Sequence, residues 1–74
     1  MGIRKDIRDA IIDEILSTGG GVTSSVIRVF VNTEFGTNYT TKQIYSMLYC
    51  ISKMQNSPIV AYGGEKHTAW YSRY

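Results

Sequence analysis

Thr40-Thr41-Lys42-Gln43-Ile44-Tyr45-Ser46-Met47-Leu48-Tyr49-Cys50-Ile51-Ser52-Lys53-Met54 is the stretch whose reading decides the fold. It opens with a helix-start signal. The Thr40 hydroxyl can accept from the backbone N–H of Gln43, and the Gln43 side chain can reach back to the N–H of Thr40, which is a capping box. Ile44, Leu48 and Ile51 then recur at i, i+4 and i+7, with Met47 and Met54 beside them, so one face is apolar with a helical period. Thr41, Lys42, Tyr45, Ser46, Tyr49 and Lys53 fall on the opposite face. That face is polar and aromatic and carries no acid. A plain solvated face would also look like this, so the rest of the chain has to decide between the readings.

Upstream, residues 3–17 read as a first helix. Ile3, Ile7, Ala10, Ile11, Ile15 and Leu16 share a stripe with Ile12 at its edge, while Asp6, Asp9 and Asp13 fill the other side. Isoleucine is a mediocre helix former, so burial rather than propensity must hold this segment. Ser17-Thr18-Gly19-Gly20-Gly21 ends it, because glycine supplies a left-handed residue at low cost. The glycines run into Val22-Thr23-Ser24-Ser25 with no lysine, so they do not make a nucleotide-binding P-loop. Gly21-Val22-Thr23 reads as a short extended stub. Thr23 or Ser24 then caps a second helix, Ser24 to Phe35, whose buried stripe is Val26, Ile27, Phe30 and Val31 with Phe35 closing it. The β-branched run Val26–Val31 leaves a strand as the alternative. Gly36 stands where a helix-ending glycine belongs, and Thr37-Asn38-Tyr39 turns the chain into the capping box.

Downstream, Gln55-Asn56-Ser57-Pro58 stops the third helix. Pro58-Ile59-Val60-Ala61-Tyr62 and Thr68-Ala69-Trp70-Tyr71-Ser72 are β-prone, and Gly63-Gly64-Glu65-Lys66-His67 between them is a loop of hairpin length. Two strands alone are marginal, so the hairpin must dock on the helices. Trp70 is its expected anchor, with Ile59 or Val60 opposite, and the stub at Val22 can add a third strand.

Seventy-four residues make one expected domain, residues 1–74, and a chain this short buries only about 60% of its unfolded surface. Its 43% hydrophobic and 19% charged residues fit a folded chain rather than a disordered one. No run approaches roughly 18 apolar residues, so no membrane span is expected, and Arg4, Lys5, Asp6, Arg8 and Asp9 interrupt any signal-peptide core. The lone Cys50 allows no internal disulfide and points to a reducing, cytoplasmic setting; it is expected to be a small buried or half-buried side chain. One histidine and one cysteine make neither a zinc site nor a nucleophilic dyad, so no metal, cofactor or catalysis is expected. Residues 1–17 carry three basic against four acidic side chains, whereas residues 18–74 carry five against two. An anion-binding face is therefore expected in the later elements.

The order helix, stub, helix, helix, hairpin resembles a winged helix-turn-helix domain over essentially the whole chain. Val22-Thr23 corresponds to the stub strand and Thr40 to Leu48 to the third helix. The runs 58–62, 63–67 and 68–71 correspond to strand, wing and strand. The resemblance implies an α+β fold with a three-helix core and a C-terminal β-hairpin wing. It implies a cytoplasmic double-stranded DNA-binding regulator of transcription that reads the major groove with residues 40–54 and lays the 62–68 loop along the backbone or minor groove. Arg28, Lys42, Lys53 and Lys66 would then neutralise phosphates. Thr40 and Thr41 would hold a phosphate at the helix start, Tyr45 and Ser46 would reach base edges, and Tyr49 would reach sugar or phosphate. His67 would join Lys66 in the wing. Such wings commonly carry two or three basic residues, whereas this loop pairs Lys66 and His67 with the acid Glu65. The alternative is a winged-helix adaptor or inhibitor of phage type that grips a host protein. Six tyrosines and one tryptophan supply anchors for such an interface, or for a homodimer.

Overall fold

A computed structural model of the chain describes residues 4–63 and 68–73. The fold is α+β. In chain order it runs α1 (Lys5–Thr18), β1 (Gly20–Thr23), α2 (Ser24–Phe35), α3 (Thr41–Lys53), β2 (Ile59–Tyr62) and β3 (Ala69–Ser72). The strands form an antiparallel sheet in the order β1-β3-β2, so the last strand lies in the middle.

Local chemistry sets each helix boundary. Gly19 ends α1 in the left-handed region at φ +81°, with its N–H on the Ile15 carbonyl at 3.1 Å. At the start of α1, Arg4 and Asp6 pair at 2.7 Å; this hydrogen bond holds the Asp6 carboxyl below its ordinary range and raises the Arg4 guanidinium. Both side chains are exposed, so the pair contributes little. Thr23 caps α2 by accepting from the Val26 N–H, and Gly36 ends it at φ +64°. For α3 the capping box is complete. The Gln43 N–H donates to the Thr40 hydroxyl at 3.1 Å, and the Thr40 N–H donates to Gln43 Oε1 at 2.8 Å. Losing such a cap costs about 1 kcal/mol.

The core gathers one face of every element. Ile7, Ile11 and Ile15 come from α1, Ile27 and Val31 from α2, Ile44, Leu48 and Ile51 from α3, and Val22, Ile59 and Trp70 from the strands. Trp70 is fully buried, and its indole N–H donates to the Ser24 hydroxyl at 3.3 Å. The helical reading of 26–31 therefore holds over the strand alternative. Five expectations are corrected. Val26 and Leu16 belong to the surface, 54% and 39% exposed, because each stands beside a residue that takes the inward direction, Ile27 and Ile15. Met54, 46% exposed, has left the helix and stands at the end cap of α3. Trp70 faces Ala61 in β2 and Val22 in β1; Val60 faces Tyr71 and Ile59 faces Ser72, so Trp70 is opposite neither of its expected partners, Ile59 or Val60. Cys50 is exposed.

Two details hold the strands of the sheet together. The Arg73 guanidinium Nε donates to the Ser57 carbonyl at 2.6 Å, and the Arg73 N–H to the Pro58 carbonyl at 2.8 Å, which ties both ends of the hairpin together. Gly20 sits at φ +131° under Tyr71, and an added Cβ there would run into the Tyr71 ring and backbone. Only glycine lets β1 approach β3 so closely.

Candidate nucleic-acid interface

The turn that aims α3 is closed by one side chain. Asn32 Oδ1 accepts from the Thr37 hydroxyl at 2.8 Å and from the Tyr39 N–H at 2.9 Å, while Asn32 Nδ2 donates to the Tyr39 carbonyl at 3.0 Å. Residues 37–39 are thereby held onto α2, and the start of α3 follows from them. Sequence reasoning missed this clamp. An asparagine followed by turn residues within seven positions was the available signal.

With its inner stripe buried, α3 presents Thr41, Lys42, Ser46, Tyr49 and Lys53 to solvent. Tyr45 is drawn inward and is half-buried. Its ring meets Trp70 edge-on at 5.8 Å and stacks on Tyr49 at 6.3 Å with an interplanar angle of 22°. The Lys53 ammonium lies 5.2 Å from the Tyr49 ring centroid, a cation–π contact that continues the row down the helix. Tyr45, Tyr49 and Lys53 stand four residues apart, so the row follows directly from helical spacing. Its inner end rests on the buried Trp70, which gives it a fixed base. Tyr45, Ser46, Tyr49 and Cys50 together line a shallow, open hollow on this face.

The first turn of α3 has two of its amides engaged by the capping box, those of Thr40 and Gln43. The amides of Thr41 and Lys42 stand at the positive end of the helix dipole, where the helix itself supplies no acceptor. The Thr40 hydroxyl already accepts a hydrogen bond, so its role here is to cap. Thr41 and Lys42 are exposed beside it.

Arg28 stands apart from this row. It is half-buried on α2, in a second hollow lined by Ser25, Val26, Val29 and Phe30, and its Nε is enclosed with no hydrogen-bond partner among the described residues. Lys66 and His67 lie outside the described residues. The structure therefore brings together Tyr45, Ser46, Tyr49 and Lys53, with Lys42 at the other end of the helix, and adds Cys50 to them. Among the described residues the ion pairs lie at α1, Arg4–Asp6 joining its leading residue to its first turn and Arg8–Asp9 within it, and no Asp or Glu occurs within α3. No group of three or more His, Cys, Asp or Glu among the described residues is placed to hold a metal ion, and no helix there is long and apolar enough to cross a membrane.

Compared with known proteins, the chain matches no family model, no curated protein and no solved structure.

Proposed function

We propose that the chain is a winged-helix protein that binds double-stranded DNA through α3 and regulates transcription. The observation that carries this reading is the outward face of α3, which holds a lysine near each end, hydroxyl and aromatic groups between them, and no carboxylate. The element order and the β1-β3-β2 sheet agree with a winged-helix topology. Lys42 and Lys53 are eleven positions apart, about 16 Å along the axis at 1.5 Å per residue. A major groove is about 12 Å wide, so a helix lying in it can bring both cations to the flanking phosphates. Ser46 and Tyr49, midway between them, face the base edges in that pose. Tyr45, half-buried against Trp70, supports Tyr49 rather than reaching out.

Binding should weaken steeply with salt. With about 3–4 phosphate contacts, log K falls against log salt with a slope near −3. Lys42→Ala is expected to weaken binding to all duplexes alike and to flatten that slope by about one unit. Ser46→Ala is expected to alter the preference between sequences and leave the slope unchanged. Fluorescence anisotropy on random and selected duplexes over a salt series measures both. Parent-like behaviour of both variants would remove α3 as the reader.

A protein-binding adaptor is the second reading, favoured by one observation. Val26 and Val29 are 54% and 55% exposed on α2 and line the hollow beside Arg28. For an adaptor the salt response on DNA would be flat, and Val26→Ser rather than Lys42→Ala would abolish capture of the partner.

A further inference from the structure

Between the lysines near its two ends, the outward face of α3 lacks the side chains that read bases through paired hydrogen bonds. In the major groove those are arginine or lysine on guanine and asparagine or glutamine on adenine. Thr41–Lys53 contains no arginine and no asparagine, and Gln43 Oε1 is held by the Thr40 N–H at 2.8 Å. Lys42 and Lys53 sit at the helix ends, and Lys53 lies over the Tyr49 ring. What the middle of the face offers is the hollow lined by Tyr45, Ser46, Tyr49 and Cys50, which is open and predominantly apolar. The apolar group that a base pair displays in the major groove is the C5-methyl of thymine. The flanking lysines and the absence of acids favour a polyanion as the molecule that carries this methyl to the hollow.

We infer that the hollow between Tyr45, Ser46, Tyr49 and Cys50 receives the C5-methyl group of thymine, so that methyl contact sets the sequence preference. This rests on the duplex-DNA reading above. Tyr49 forms one wall, braced by Tyr45 on one side and Lys53 on the other. Cys50 adds a soft, weakly polar surface that does not compete for a base-edge hydrogen bond.

The test uses the full chain and duplexes of equal length at one salt concentration. The probes are alternating A·T DNA, the same duplex with deoxyuridine for thymidine, alternating G·C DNA, and the same duplex with 5-methylcytosine. Removing the buried methyl should weaken A·T binding by roughly three- to fivefold, and adding one to cytosine should strengthen G·C binding by a similar factor. Cys50→Asn, at an exposed position, and Tyr49→Ala should each bring both ratios close to one. Circular dichroism confirms that the variants are folded. Equal affinity with and without methyl groups, with salt-dependent binding to every duplex, overturns the inference and leaves the proposed function standing. A methyl effect that persists in full in both variants overturns it as well, since the methyl is then read elsewhere. No binding to any duplex overturns both.

Discussion

Trp70→Ala is expected to leave the chain unfolded at room temperature. The indole is fully buried in the middle strand of the sheet, opposite Val22 on one side and Ala61 on the other. It touches the Tyr45 ring edge-on, and its N–H is satisfied by the Ser24 hydroxyl at 3.3 Å. Truncation leaves a cavity the surrounding isoleucines cannot close and costs about 3–5 kcal/mol. A core of this size rarely supplies more than about 3–5 kcal/mol in total, so little or nothing remains. Trp70→Phe keeps most of the bulk and loses the hydrogen bond to Ser24, for about 1–2 kcal/mol, and should stay folded at a lower melting temperature. Thermal melts followed by far-ultraviolet circular dichroism measure both. A parent-like melt for Trp70→Ala would mean that the hairpin does not share the core.

Asn32→Ala carries the second large effect, and it reaches the site as well as the fold. Three hydrogen bonds to Thr37 and Tyr39 disappear together. At about 1 kcal/mol each, with the Tyr39 amide and carbonyl left part-buried and unmatched, the loss is roughly 2–4 kcal/mol. Asn32→Asp keeps the acceptor for Thr37 and for the Tyr39 N–H and loses the donor to the Tyr39 carbonyl, so it should fall between parent and alanine. Because the clamp aims the start of α3, DNA affinity of the folded Asn32→Ala protein should drop by more than that of Trp70→Phe. Urea unfolding beside anisotropy titrations separates the two effects. Parent stability in Asn32→Ala would show that the turn holds itself.

What could be read from the chain follows the range of the forces. The capping box of α3 was legible because Thr40 and Gln43 are three residues apart and need nothing else. The buried triad Ile44, Leu48 and Ile51 was legible from its period. The place of Cys50 was legible too. Two positions after Leu48 is about 200° round the helix, which points outward, yet the general tendency of cysteine to be buried argued for the interior. Val26 beside Ile27 shows the opposite case, where two adjacent β-branched residues compete for one inward direction and only packing decides. The pairing of Trp70 with Ala61 depended on the loop between β2 and β3, whose length admits neighbouring registers. The Asn32 clamp closes only when the turn folds back on α2, and the bracing of Tyr45 by Trp70 joins residues 25 positions apart. The clamp leaves only a faint trace, an asparagine with turn residues following within seven positions, and the bracing leaves none; both shape the face of α3.

In the proposed function that face meets a duplex. Amide chemical shifts of the isotope-labelled chain, recorded as duplex DNA is added at low salt, test this most directly. The largest changes are expected within residues 41–53, centred on Ser46, Tyr49 and Cys50, and should reverse on adding salt. Changes centred on Val26 and Val29 of α2, or none along α3, would contradict it.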